Sequence, residues 1–352
     1  MKYLLDRNKL RQGDIILESG ETKLVSNLIK KVTNSEFSHA MIYIDHTLIH
    51  AINDGGVFSK NPQRILRSKE NSFKVLRLKT PVSNLVLEQI CDNARVKVGS
   101  VYSMLEASKT ILPKKKKKEE KNNEQFCSRL VAQCYYEAGI QIVDDVNLCT
   151  PEDINKSEVL QEVLGCVKKA SAEDIKMDSK TDPNIENQKE TLKWLEQTRQ
   201  LLKKDGINIQ TINDISMHLS SDSSADKRIC KYIESTKYLK LYNVDRQINP
   251  YRYNDKEFEL ALENSQDKIN LLKDEIDLNR RDIVRHGKNL KAVRENYRNT
   301  KLKFCKLHIQ LYRNLLKECE ARLNIILKYK QLDIYTESVV HNLLSETSSL
   351  LR

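Results

Sequence analysis

The sequence predicts an α+β fold: a mixed sheet-and-helix domain over about residues 1–180, then an all-helical region over 181–352. Three observations predict it. Short β-type runs alternate with turns before residue 180, and helical periodicity takes over after Thr181-Asp182-Pro183-Asn184. A seven-residue apolar repeat then runs through Leu262, Ile269, Ile276, Ile283, Leu290, Tyr297, Phe304 and Leu311. A length of 352 residues accommodates one large domain or two ordinary ones.

Four runs in the first half read as strands: Asp14-Ile15-Ile16-Leu17, Ala40-Met41-Ile42-Tyr43-Ile44, Leu48-Ile49-His50-Ala51-Ile52 and Ser72-Phe73-Lys74-Val75-Leu76-Arg77-Leu78. Helical patterns over 85–98 and 128–138 interleave with them, which together make a small α+β unit. In the second half a helix is expected over 187–204, stopped by Gly206 where a left-handed cap residue belongs. The polar stretch Ser220-Ser221-Asp222-Ser223-Ser224-Ala225-Asp226 reads as a loop. The heptad that follows signals long helices with a narrow apolar seam, as an intramolecular helical hairpin or a coiled coil. Its intervening positions are mixed: Leu272, Val293 and Leu307 are apolar, while Ser265, Asn279 and His286 are polar.

Composition narrows the class further. Apolar residues are 39% and charged residues 31%, below and above ordinary globular usage, which suits thin, solvated helical layers. Nine glycines and six prolines leave few tight turns and argue against a sandwich, a propeller or a long disordered tail. No run approaches the roughly 18 apolar residues of a membrane span. Met1-Lys2-Tyr3-Leu4-Leu5-Asp6-Arg7 breaks into charge before a signal-peptide core forms. The expected location is cytoplasmic, with signal-independent secretion as an effector as the alternative.

The eight cysteines show no paired spacing, so neither a disulfide framework nor a zinc site is indicated, and no cofactor or metal is expected. Within the net charge of +11, one run stands out: Pro113-Lys114-Lys115-Lys116-Lys117-Lys118-Glu119-Glu120-Lys121. Taken plainly it is a solvated loop. Its functional alternative is an electropositive rim that draws an acidic partner or anionic lipid headgroups. Nucleic acid is not expected, because the other basic residues are spread among acids and no aromatic-basic motif is present.

Three side chains are candidates for chemistry: His39, His50 and Cys127. If Asp45-His46 is a two-residue turn, Ile44 opposes Thr47, Met41 faces His50, and Ile52 faces His39. Side chains alternate with a period of two, so His39, Met41 and His50 share a face and the two imidazoles become diagonal neighbours. A one-residue slip would separate them. Cys127 opens a helix carrying Leu130, Val131, Cys134, Tyr135 and Ala138 at helical spacing, with Gly139 ending the run. A thiol in a first helical turn meets unsatisfied N–H groups and the positive dipole end, both of which favour the thiolate. Cys134 falls on the helix face of Leu130 and Val131 and is expected to be core. Cys91, Cys149, Cys166, Cys230, Cys305 and Cys319 have no attendant chemistry, and His46 is expected in solvent at the hairpin tip. Spacing alone does not separate the trio from an accidental constellation.

The order of the pieces adds to this. Gly13-Asp14-Ile15-Ile16-Leu17 is followed by Phe37-Ser38-His39-Ala40-Met41-Ile42-Tyr43-Ile44, Leu48-Ile49-His50-Ala51 and Gly99-Ser100-Val101-Tyr102. Then come Phe126-Cys127-Ser128-Arg129-Leu130-Val131-Ala132-Gln133-Cys134-Tyr135-Tyr136-Glu137-Ala138-Gly139-Ile140 and Thr150-Pro151-Glu152-Asp153-Ile154. Over about residues 10–155 this resembles the circularly permuted branch of the papain-like, NlpC-type superfamily, particularly the YiiX-like amidases and peptidases. The resemblance implies Cys127 as nucleophile, His39 as base, and His50 as the polar third member that orients His39. It implies cleavage of an amide or ester-type bond through an acyl-enzyme. Two alternatives stand beside it: an acyltransferase or thioesterase on a lipid substrate, as in the lecithin retinol acyltransferase relatives, and a helical scaffold with a degenerate catalytic domain. The helical region carries no resemblance and is expected to select a protein partner or substrate.

Overall fold

The computed structural model describes residues 1–19, 36–53, 55–102, 125–180, 182–265 and 267–352. These divide into two compact units, Met1–Gln188 with Arg199–Asp214, and Lys189–Thr198 with Ile215–Arg352. The architecture is α+β, with every described strand in the first unit.

In that unit β1 (Tyr3–Leu5) pairs with β8 (Val167–Lys169) as a separate antiparallel ribbon. β2 (Ile15–Glu18), β3 (His39–Ile44), β4 (Thr47–Ile52), β5 (Gly56–Lys60), β6 (Phe73–Leu78) and β7 (Leu160–Glu162) form an antiparallel sheet in the order β5-β4-β3-β2-β6-β7. The β3–β4 hairpin has the expected register, Ile44 to Thr47 and Ile42 to Ile49. Asp45 and His46 both take positive φ, 47° and 64°, the conformation that a two-residue turn of this hand demands. His46 is half-buried rather than free in solvent, because its ring lies edge-on to Tyr43.

Both sheet faces are covered, which explains why β2 and β3 read as nearly continuous apolar runs. On one face Ile15, Leu17, Ala40, Ile42 and Ile49 pack with α1 (Asn84–Val96) and α2 (Cys127–Tyr136) through Ile90, Leu130 and Val131. On the other, Ile16, Met41, Tyr43 and Leu48 meet Leu5, Ile65 and Cys166. Asp14, entirely buried, is held by Arg77 Nε and Nη2, each 2.7 Å from one carboxylate oxygen, and by the Arg11 N–H. Removing Arg77 would leave a buried carboxylate without its cation, the costly way to break such a pair. Tyr135 Oη donates to the Gly13 carbonyl, so the Gly13-Asp14 motif is a structural clasp. Two short helices, α3 (Pro151–Asn155) and α4 (Ala172–Asp178), each start in a capping box, at Thr150 and Ser171.

The remaining helices are α5 (Pro183–Lys203), α6 (Ile212–Ser221), α7 (Asp226–Glu234), α8 (Asp245–Ile248), α9 (Asp255–Glu263), α10 (Lys268–Thr300), α11 (Lys303–Leu327) and α12 (Ile334–Leu351). α5 ends before Gly206, which takes φ +75° as expected. The stretch 220–226 differs from the expected loop. α6 runs to Ser221, a single 3-10 turn follows, and Asp226 already belongs to α7. The reason is local. Asp222 caps that turn by accepting from Ser224 N, and the Asp226 carboxylate accepts the N–H groups of Lys303 and Phe304 that open α11.

The heptad does not form one uninterrupted helix. Leu262 lies in α9 and Leu311 in α11, and Lys301, at φ 56°, ends α10. α10 and α11 form a helical hairpin whose Ile276, Ile283 and Leu290 pack with Leu316, Cys319 and Leu323, and with Val340, Leu343 and Leu350 of α12. The polar seam positions Asn279 and His286 are buried here. Asn279 Oδ1 accepts from Arg322 Nε at 2.9 Å, and Arg322 Nη2 reaches Asp282 at 2.8 Å, so the polar positions join the two arms of the hairpin. Among the described residues no helix is long and apolar enough to cross a membrane.

Candidate active site

The site is built from the ends of elements. His39 opens β3, His50 lies in β4, and Cys127 opens α2. The expected register brings the two rings together: His39 Nε2 lies 3.0 Å from His50 Nδ1, the planes nearly perpendicular. With Nε2 facing His50, the Nδ1 side of His39 is the one open to another partner. The Cys127 thiol and the His39 side chain are hydrogen-bonded to each other.

The start of α2 favours an anionic sulfur. Phe126, the residue before it, offers no side-chain cap, so the first-turn N–H groups are left for other partners. Two backbone N–H groups, those of Ala40 and Ser128, reach the Cys127 sulfur. Burial pushes the thiol up, but the His39 hydrogen bond and charge, with these two N–H groups, hold it below the ordinary value. The other seven cysteines go the opposite way. Burial pushes Cys91 up to about 11 and Cys134, Cys230 and Cys319 each up to about 12, and it raises Cys149, Cys166 and Cys305.

His39 moves the other way. Burial lowers it, yet the Cys127 hydrogen bond and charge outweigh this, and Glu18 adds to the rise while Lys60 opposes it. His50 is pushed well below its ordinary value by burial and by the His39 and Lys60 charges. It is therefore neutral, and its Nδ1 can accept the Nε2 proton of a charged His39. Such a set can hold a thiolate–imidazolium pair, deliver a proton to a leaving group, and present helix-start N–H groups to a developing oxyanion.

Around the site stand neighbours to which the sequence analysis gave no role. Glu18 is the cross-strand partner of His39, and Arg67 grips its carboxylate through Nε, at 2.6 Å, and Nη2. A long connection separates β2 from β3, so no hairpin arithmetic fixes that register. The segment leading to Cys127 is braced by Gln125 Nε2 donating to Gln133 Oε1 (3.1 Å) and Gln133 Nε2 donating to Asn147 Oδ1 (2.9 Å). Tyr102, bridged to Gln125, lies near enough to feel the Cys127 charge. The lysine run 114–118 lies outside the described residues. Among the described residues no group of three or more His, Cys, Asp or Glu side chains is placed to hold a metal ion.

Residues 9–179 match the sequence profile of the family described as "Permuted papain-like amidase enzyme, YaeF/YiiX, C92 family". Among solved structures the chain is similar to the metalloprotein yiiX from Escherichia coli O157:H7, at 16% identity and a TM-score of 0.36, covering 44% of this chain and 97% of that one. No curated protein matches. Its first half, residues 9–179, belongs to the permuted papain-like amidase family of the YaeF/YiiX type.

Proposed function

We propose that the chain is a thiol-dependent hydrolase that cleaves an amide or ester-type bond. Cys127 is the nucleophile, His39 the proton carrier, and His50 the neutral group that orients His39. One observation carries this reading: Cys127, alone among eight cysteines, is held toward the thiolate, hydrogen-bonded to an imidazole that is itself raised. The thiolate attacks the carbonyl carbon, and the first-turn N–H groups of α2 receive the oxyanion. As the C–N or C–O bond breaks, the Nδ1 proton of His39 passes to the leaving group and an acyl-thioester remains on Cys127. Water then attacks the thioester, gives one proton to His39, and releases the acid as the C–S bond breaks, which restores the thiolate–imidazolium pair. The helical region serves selection of substrate or protein partner in this reading.

The test is acylation of the full chain by p-nitrophenyl acetate. A burst of nitrophenolate, with an acetyl group on Cys127 by mass spectrometry, is the expected result. No burst in the intact chain, or a burst that persists in Cys127→Ala, overturns the assignment.

A further inference from the structure

The family match ends at residue 179, yet Arg199–Asp214 packs as part of the first unit. Its contacts converge on residues 99–102, the backbone that leads to Tyr102. Gln210, 4% exposed, accepts the Val101 N–H on Oε1 at 3.1 Å and donates from Nε2 to Asn208 Oδ1 at 2.8 Å. Arg199 Nη2 donates both to the Gly99 carbonyl and to the Gln210 carbonyl, the latter at 2.6 Å. Its Nε reaches the Ile209 carbonyl at 3.3 Å. Gln210 itself is fixed by the Asp214 carboxylate, which accepts the N–H groups of Gln210 and Thr211 at 2.9 and 2.8 Å.

The opposite side of residues 99–102 is tied to the catalytic framework. Gly99 N and Ser100 O each bond Val57 of β5, both at 2.9 Å. The Val101 carbonyl accepts the Gln125 N–H at 2.9 Å, two residues before Cys127. The fit is close: a Cβ on Gly56 would stand 2.0 Å from the Ser100 carbonyl oxygen. Residues 99–102 are thus clamped between the sheet that carries the histidines and a segment beyond the family match.

We propose that Gln210 and Arg199 are positioning residues of the catalytic cleft, which act by holding residues 99–102 and so fixing the bridge of Tyr102 to Gln125, two residues before Cys127. The inference rests on Cys127 as the reactive residue of the site. Gln210 is the sharper probe, because it is buried and both ends of its amide are used. A leucine or methionine at 210 would fill the same space and leave the Val101 N–H without its Gln210 acceptor. The Tyr102–Gln125 bridge, and with it the backbone that leads into Cys127, would then be held less firmly.

The experiment compares Cys127 alkylation in the full chain by a small reagent, iodoacetamide, and a bulky one, iodoacetanilide. Tyr102→Ala is expected to raise the bulky-to-small rate ratio. Gln210→Met should move it the same way by about three- to tenfold, the range that one lost neutral hydrogen bond supports. Gln210→Glu keeps the acceptor for Val101 and should return the ratio to that of the unaltered chain. If Gln210→Met does not fold, Gln210→Asn, one methylene too short for Val101, carries the same test. A ratio indifferent to Gln210 while Tyr102→Ala shifts it overturns the positioning role, and a lower melting temperature with an unchanged ratio does the same. If instead Cys127 alkylates with the pH dependence of an ordinary thiol, it is the hydrolase reading that fails, a result the ratio does not mimic.

Discussion

His50 Nδ1 stands 3.0 Å behind His39 Nε2, and the two imidazoles are held in opposite protonation preferences. Burial, the neighbouring His39 and Lys60 keep His50 neutral, whereas Cys127 and Glu18 overcome burial to favour the charged form of His39. A carboxylate in the third position would add negative charge behind the base. A neutral imidazole offers His39 only an acceptor, so in the proposed hydrolase His50 serves orientation and tautomer choice.

It follows that His50→Asn, which keeps an acceptor, should retain more activity than His50→Ala. Neither should reach the loss of His39→Ala, which removes proton transfer itself and is expected to cost about 10²- to 10⁴-fold. Initial rates of p-nitrophenyl acetate hydrolysis check the order. Equal loss in His50→Ala and His39→Ala would mean that His50 itself carries the proton.

A second prediction separates the two cysteines of α2. Cys127→Ala should abolish acylation with the fold intact. Cys134, fully buried, should instead show as stability: Cys134→Ala leaves a small void worth about 1 kcal/mol, with turnover per folded molecule unchanged. Chemical denaturation and burst amplitude, measured on the same samples, decide it. Loss of the burst in Cys134→Ala would exchange the roles of the two thiols.

How far the sequence reaches can be seen residue by residue. The β3–β4 register was legible because a two-residue turn fixes it, and with it the meeting of His39 and His50. The position of Cys127 at a helix start was legible from the apolar spacing behind it. Glu18 was not, because its pairing with His39 depends on a register across a long connection that no local rule fixes. Gln210 was not, because it lies more than 100 residues from Val101 in the chain and its amide resembles any polar residue near a helix start. The heptad was legible as a seam but not its break: Lys301 is an ordinary lysine in a left-handed conformation that sequence rarely signals. Of the polar seam residues, Asn279 serves the hairpin by receiving Arg322.

The third prediction concerns the pH window. The thiolate–imidazolium pair exists above the lowered Cys127 value and below the raised His39 value. Alkylation of Cys127 by iodoacetamide should therefore persist at pH values where an ordinary thiol has stopped reacting. Glu18 contributes to the upper limit, while Lys60 at the end of β5 opposes it. In Glu18→Gln the basic limb of the rate profile should move to lower pH. An unmoved basic limb would remove Glu18 from the electrostatics of His39.

The last prediction concerns acid stability. His286 and His308 are buried in the helical unit, where burial lowers them to about 3 and about 4. Around His286, Arg285 and Arg322 oppose its protonation and Asp282 favours it. His308 has only the Phe304 carbonyl, 2.9 Å from Nδ1, and its Nε2 and His286 Nδ1 find no partner among the described residues. The folded values lie below the ordinary 6.5, so between pH 6.5 and about 4 the unfolded chain binds protons that the folded chain refuses. Stability present above pH 6.5 is thus lost as the pH falls, by about 2 kcal/mol per histidine at pH 5. His50 adds to the same slope, and raised His39 opposes it, since its contribution is present below 6.5 and fades as pH rises through its folded value. Urea denaturation of the full chain at pH 7 and pH 5, followed by helical circular dichroism, should show the loss. His308→Phe, which keeps the ring among Phe304, Tyr238 and Tyr312, should reduce the difference by about 2 kcal/mol. A pH difference identical in His308→Phe and the unaltered chain would mean that His308 titrates freely and that the interior of the helical unit is open to water.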